Sequence, residues 1–163
     1  DYEQDQLKKL FYEYADLRIA PKLAAEIVKA REEAPIDSSE RLKAVLKPFL
    51  FKEKEHKILA QIYQAIRIEV NQELDVLKEF LIQTPDLLKK GGRLSLISYH
   101  SLEDRLVKRY IRSGLFEGEP EKDFFGNISV PLKKVGGLIV PSSEEIALNN
   151  RARSAKLRIA KRL

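Results

Sequence analysis

Apolar residues recur at helical spacing through the first third of the chain. Leu7, Leu10, Phe11 and Tyr14 follow an i, i+3, i+4, i+7 pattern, which predicts an amphipathic helix. Pro21 suits a first helical turn, and Leu23, Ile27 and Ala30 carry a second helix to about Glu33, where Pro35 stops it. Asp37 with Glu40 three residues on reads as a capping box. It opens a short third helix through Leu42, Val45 and Leu46, closed by Pro48. The Lys- and Glu-rich stretch 51–57 reads as an exit linker. One long helix is expected over roughly Glu55 to Gln83. Its apolar stripe is Leu59, Ile62, Ile66, Val70, Leu74, Leu77 and Leu81, beside a polar stripe of Gln64, Arg67 and Asn71. Thr84-Pro85 is expected to cap a further short helix, ended by Gly91-Gly92.

The period then changes. Arg93 to Tyr99 reads as a short apolar strand with small residues between, suited to burial on both faces of a parallel sheet, with His100 at its carboxyl end. Ser101 and Asp104 read as the capping box of a new helix carrying Leu102, Leu106, Val107 and Tyr110, closed by Gly114. Residues 113–129, with three Gly and four acidic side chains, read as a loop. Val130 to Val140, broken at Gly136-Gly137, reads as a strand pair. Ser142 or Ser143 caps a short helix to Leu148, and Ala155 to Ala160 alternates as a last strand. Helices followed by a strand, a helix and late strands predict the tail of an α/β sheet preceded by a small all-helical subdomain.

Composition narrows the chemistry. The chain has no Cys, which excludes disulfides, thiol nucleophiles and Cys-ligated metal and fits a reducing, cytoplasmic compartment. Two histidines, His56 and His100, leave little for a multi-histidine metal site, so no metal is expected. No apolar run approaches the ~20 residues of a membrane span. A chain that begins at Asp1 and contains no Met reads as part of a longer protein. The net charge of +5 is unevenly placed: residues 1–58 hold 12 basic and 12 acidic side chains, while Arg151 to Leu163 holds six basic and no acidic ones. Such a segment either meets an anionic partner, nucleic acid being the commonest, or is a solvated tail.

Motifs for common cofactors are missing. No G-x-G, G-x-x-x-x-G-K-[ST], H-E-x-x-H or G-x-S-x-G occurs. Ligands of open α/β sheets bind outside the carboxyl ends of the strands, which singles out Ser98, Tyr99, His100 and Ser101. Ser101 and Asp104 read equally as plain helix caps, and Gln64, Arg67 and Asn71 as a solvated helix face. Arg151, Arg153, Lys156 and Arg158 read either as phosphate contacts or as a basic tail.

Three blocks carry a family resemblance. Gln64-Ala65-Ile66-Arg67-Ile68-Glu69-Val70-Asn71-Gln72-Glu73-Leu74 resembles a signature helix of the small-subunit rRNA cytosine-N4 methyltransferases, the RsmH/MraW family. The stretch from Gly91-Gly92-Arg93 through Ser98-Tyr99-His100-Ser101-Leu102-Glu103-Asp104 to Arg109 resembles a second block. Pro141-Ser142, Glu144-Glu145-Ile146, Asn149 and Arg151-Ala152-Arg153-Ser154-Ala155-Lys156-Leu157-Arg158 resemble a third. The helical opening, including Ala24 to Glu32 and Pro35-Ile36, is similar to the family's insertion. Departures are Asn150, where the family usually has Pro, and Gly136-Gly137, which replace more basic residues and remove possible RNA contacts.

The resemblance implies the C-terminal part of an S-adenosylmethionine-dependent, Rossmann-like methyltransferase sheet. Residues 1–57 would be the helical insertion subdomain and 58–163 the sheet part, without the N-terminal cofactor-binding half. The implied activity is methylation of N4 of a cytosine in the decoding centre of 16S-type rRNA, in the cytoplasm, with the rRNA or ribosomal subunit as partner and no membrane. The isolated chain is expected to be inactive, S-adenosylmethionine being bound mainly by the missing half. Arg67, Asn71, His100 and Ser101 are expected to face the reaction cleft of the complete enzyme. Arg151, Arg153, Lys156 and Arg158 are expected to contact RNA, with Lys156 and Arg158 on the solvent side of a strand anchored by Leu157 and Ile159. The alternative is a non-catalytic RNA-binding or interaction module derived from the same fold.

Overall fold

The computed structural model describes residues 2–51 and 53–163; Asp1 and Lys52 lie outside it. The chain forms two compact units that divide between Glu73 and Leu74. In the first, α1 (Gln4–Ala15), α2 (Ala20–Glu33), α3 (Ser39–Leu46) and α4 (Glu55–Val70) share one apolar core. Helix α1 packs on α2 and α4, and α2 on α3. Phe11, Leu23, Leu46 and Ile62 are fully buried, so the helical spacing of apolar residues does place them on one inward face. The cap of α3 is Ser38 rather than Asp37: its hydroxyl accepts the Arg41 N–H at 3.2 Å. A cap must reach the amide two or three residues into the helix, and Ser38 is the residue at that distance.

Part of the stretch expected as a linker is helix. Residues 55–57 form the first turn of α4, where Glu55 pairs with Lys43 at 2.9 Å; the Lys52 part of that stretch lies outside the described residues. Ile58, Leu59, Ile62 and Ala65 of α4 belong to the helical core. The first compact unit runs to Glu73.

The expected long helix is two helices. Helix α4 ends at Val70, Asn71 follows as its cap, and Gln72 takes a left-handed φ of +51° before α5 (Glu73–Leu87) begins. Neither Gly nor Pro marks the break, and the apolar spacing runs straight across it. The turn is held by Glu73, whose carboxylate accepts the Arg67 guanidinium at 2.7 and 3.0 Å and the Asn71 amide at 3.2 Å. No new helix starts at Thr84-Pro85 either; both residues lie inside α5. Pro85 offers no N–H to the Leu81 carbonyl, and the Thr84 hydroxyl donates to the Phe80 carbonyl at 2.7 Å.

The second unit holds β1 (Arg93–Ser98), α6 (Ser101–Ser113), β2 (Leu132–Ile139), α7 (Ser143–Leu148) and β3 (Lys156–Arg162). The sheet order is β1-β3-β2, with both neighbouring pairs antiparallel. Among the described residues β1 pairs with β3 alone, Leu94 and Ser98 are buried and Ile97 is 59% exposed. Helix α6 covers the face presented by Leu94 and Ala160, which are directly paired. Leu81, Val107, Tyr110, Ile111 and Leu132 complete that core. The expected strand pair at 130–140 is one strand, with a register shift between Val135 and Ile139. Gly136, at φ +68°, absorbs it as an irregularity rather than a hairpin.

Candidate functional site

The turn from β1 into α6 is built by His100 and Glu103. His100 is the N-cap; its Nδ1 accepts the Glu103 N–H at 3.4 Å. The Glu103 carboxylate in turn accepts the N–H groups of Tyr99 at 2.9 Å and His100 at 3.2 Å. This reciprocal box replaces the expected Ser101–Asp104 pair, because the box links positions three apart beginning at the cap itself. His100 Nε2 lies 3.4 Å from the Glu103 carboxylate. Ser101 is exposed at the first position of α6, and Tyr99 is exposed beside it. The turn is thus held by the side chains of His100 and Glu103.

Asp104, released from capping, turns toward β3. It is buried, and its carboxylate takes the Arg158 guanidinium through two bonds of 2.7 and 3.1 Å and Lys156 Nζ at 3.4 Å. The Arg158 bonds hold the Asp104 carboxyl below the usual carboxylate range, outweighing the upward push of burial, and Lys156 adds to the lowering. Ser98 shares this face, since β1 register pairs it with Lys156.

The basic segment divides accordingly. Lys156 and Arg158 do share one strand face, but that face meets α6 rather than solvent, and the Arg158 side chain is 14% exposed. The expectation that this pair is left for solvent is corrected: the carboxylate of Asp104 lies opposite. Asp104 stands three residues before Val107 and seven before Ile111, on the buried stripe of α6, and that spacing was the available signal. Arg151 and Arg153 are exposed in the 3-10 turn Asn150–Ser154, which Ala152 anchors in the interior and Asn149 caps through the Arg151 N–H at 3.1 Å.

Arg67 and Asn71 belong to the helical unit, His100 and Ser101 to the sheet unit. Within its unit Arg67 is an exposed residue tied to Glu73, as is Asn71, and both shape the end of α4. Among the described residues, no helix is long and apolar enough to cross a membrane.

Comparison with known proteins bears on this arrangement. The profile of the MraW methylase family matches residues 1–163. A protein of Christiangramia forsetii named ribosomal RNA small subunit methyltransferase H is 75% identical over 163 residues, covering 100% of this chain and 54% of its own. Proteins of the same name from Flavobacterium johnsoniae and Parabacteroides distasonis are 62% and 50% identical, each with 100% of this chain and 54% of the relative covered. The chain thus spans about half the length of the curated relatives it matches.

Proposed function

The chain belongs to the MraW methylase family, and on that premise we propose that it forms the C-terminal part, with its helical insertion, of an enzyme that methylates N4 of a cytosine in the decoding centre of small-subunit rRNA. The observation that carries this is the match of all 163 residues to the family, together with 75% identity to a protein named as an rRNA small subunit methyltransferase. In this reading residues 1–57 are the helical insertion and 58–163, with the three-stranded sheet, belong to the methyltransferase domain.

S-adenosylmethionine supplies the methyl group in this reaction. The residues of this chain do not fit it: the β1–α6 turn spends its amides on Glu103 and its imidazole on the Glu103 N–H, and among the described residues no glycine-rich loop follows a strand. We therefore assign the cofactor to the part of the enzyme outside these residues, and expect the isolated chain to be inactive. What remains for this chain is positioning. An exocyclic amine conjugated with its ring is a weak nucleophile, so rate comes from holding it in line with the methyl donor and excluding water. Reaching it requires the base to leave its stack.

In this reading His100 and Ser101, at the carboxyl end of β1, wall the pocket of the displaced base. Arg67 and Asn71 contribute substrate contacts from the helical unit. Arg151 and Arg153 meet RNA phosphates, Lys156 borders them, and Arg158 acts as a strut that fixes β3 against α6. The test is transfer of labelled methyl groups from S-adenosylmethionine by the complete protein to small ribosomal subunits that lack the modification. Label at a cytosine N4 of the rRNA is expected; label on ribosomal protein, or none, contradicts the reading.

A further inference from the structure

A recess of about 370 Å³ opens between α6, β2 and β3, away from the β1–α6 turn. Its size lies at the lower end of small-ligand pockets, roughly 300–1,000 Å³. Lys108, Ile111 and Arg112 enter it from α6, where spacings of three and four residues set them on one helical face. Leu132 and Lys134 enter from β2 on the same side of the strand, two residues apart. Leu132 is fully buried beneath the recess, Ile111 and the half-buried Val130 give it an apolar lining, and Lys108, Arg112 and Lys134 are exposed around it. No carboxylate lines the recess. None of these three cations has an ion-pair partner among the described residues. Arg158 closes the back wall with its charge already matched by Asp104. Gly137 forms part of the rim, and a Cβ there would meet nothing within 4 Å, so the mouth is left wide.

An apolar floor ringed by unmatched cations is complementary to a ligand with a flat, weakly polar body and a negative charge at its edge. We propose that this recess holds one phosphate-bearing nucleotide of the RNA substrate, with the phosphate on Lys108, Arg112 and Lys134 and the ribose or base over Val130 and Ile111. The assignment rests on the reading above that the substrate is RNA, and adds where on this chain the strand runs. No single stretch of sequence marks it, because its cations come from two separate elements, α6 and β2.

The test uses the complete protein, a short fluorescein-labelled single-stranded RNA and small subunits lacking the modification. The Lys108→Glu/Lys134→Glu variant is expected to bind RNA about tenfold more weakly, with the salt slope reduced by about 0.7 for each lost phosphate contact. On subunits the loss should fall on KM more than on kcat. Gly137→Leu fills the mouth without changing charge, and is expected to weaken binding at an unaltered salt slope. Unchanged RNA affinity and slope in both folded variants would overturn the proposal. So would unchanged affinity for naked RNA with weakened binding to intact subunits, which would assign the recess to a protein surface. If the wild-type protein transfers no methyl group to rRNA, the methyltransferase reading fails instead, and the binding data still decide whether the recess takes RNA.

Discussion

Replacing Asp104 by Ala is expected to destabilise the sheet unit by about 3 kcal/mol, because it strands Arg158 in a face shielded from water. The side chains of Asp104 and Arg158 are 11% and 14% exposed, and the pair is bidentate. Removing one partner leaves an uncompensated charge, which costs more than the pair itself contributes. The double variant Asp104→Leu/Arg158→Met should recover much of the loss, since it removes both charges and keeps their volume. Amide hydrogen exchange in α6 and β3 of the complete protein reads the effect. The pH dependence has a definite sign. The folded-state pKa of Asp104 is lowered, chiefly by the Arg158 bonds. Its contribution is therefore complete above the ordinary carboxylate range and is lost as the pH falls through the depressed value. Asp104→Asn should flatten that part of the acid limb. Equal exchange rates in wild type and Asp104→Ala would show that the pair is dispensable.

Phe11→Ala should have a comparable or larger effect on the helical unit, about 4 kcal/mol, in the range for large aromatic truncations in a core. Phe11 is 1% exposed and sits in the cluster that joins α1, α2, α3 and α4. A unit of some seventy residues has little stability to spare, since whole domains hold roughly 5–15 kcal/mol. Exchange protection is expected to drop across α1, α2 and α4 together. A loss confined to α1 would mean that the helices do not share one cooperative core.

Where the sequence was legible, a local rule and the tertiary structure agreed. The stripes of α1 and α2 and the stop at Gly114 follow from apolar spacing and caps that the packing reinforces, and the short helix after Ser142 follows from its cap alone. The break at Asn71-Gln72 was hidden because its cause is a side-chain network on Glu73, with no Gly or Pro to mark it. The caps of α3 and α6 were misplaced by one residue for a related reason. Several adjacent residues can cap, and three-dimensional reach decides among them. Strand β1 was legible from Leu94, Leu96 and Ile97, and its antiparallel pairing with β3 was not, since strand order depends on long-range pairing. The basic segment was visible as charge. That half of it is matched by Asp104 depends on the pairing of β3 with β1 and the packing of α6, which periodicity does not reveal.

Cytosine-N4 methylation of small-subunit rRNA, the role proposed for the complete protein, is read out by nucleoside mass spectrometry of that rRNA from cells lacking the complete gene, with and without its restoration. N4-methylated cytidine is expected to disappear from one position and to return with the wild-type gene. Modification that persists unchanged in the absence of the gene would contradict that role.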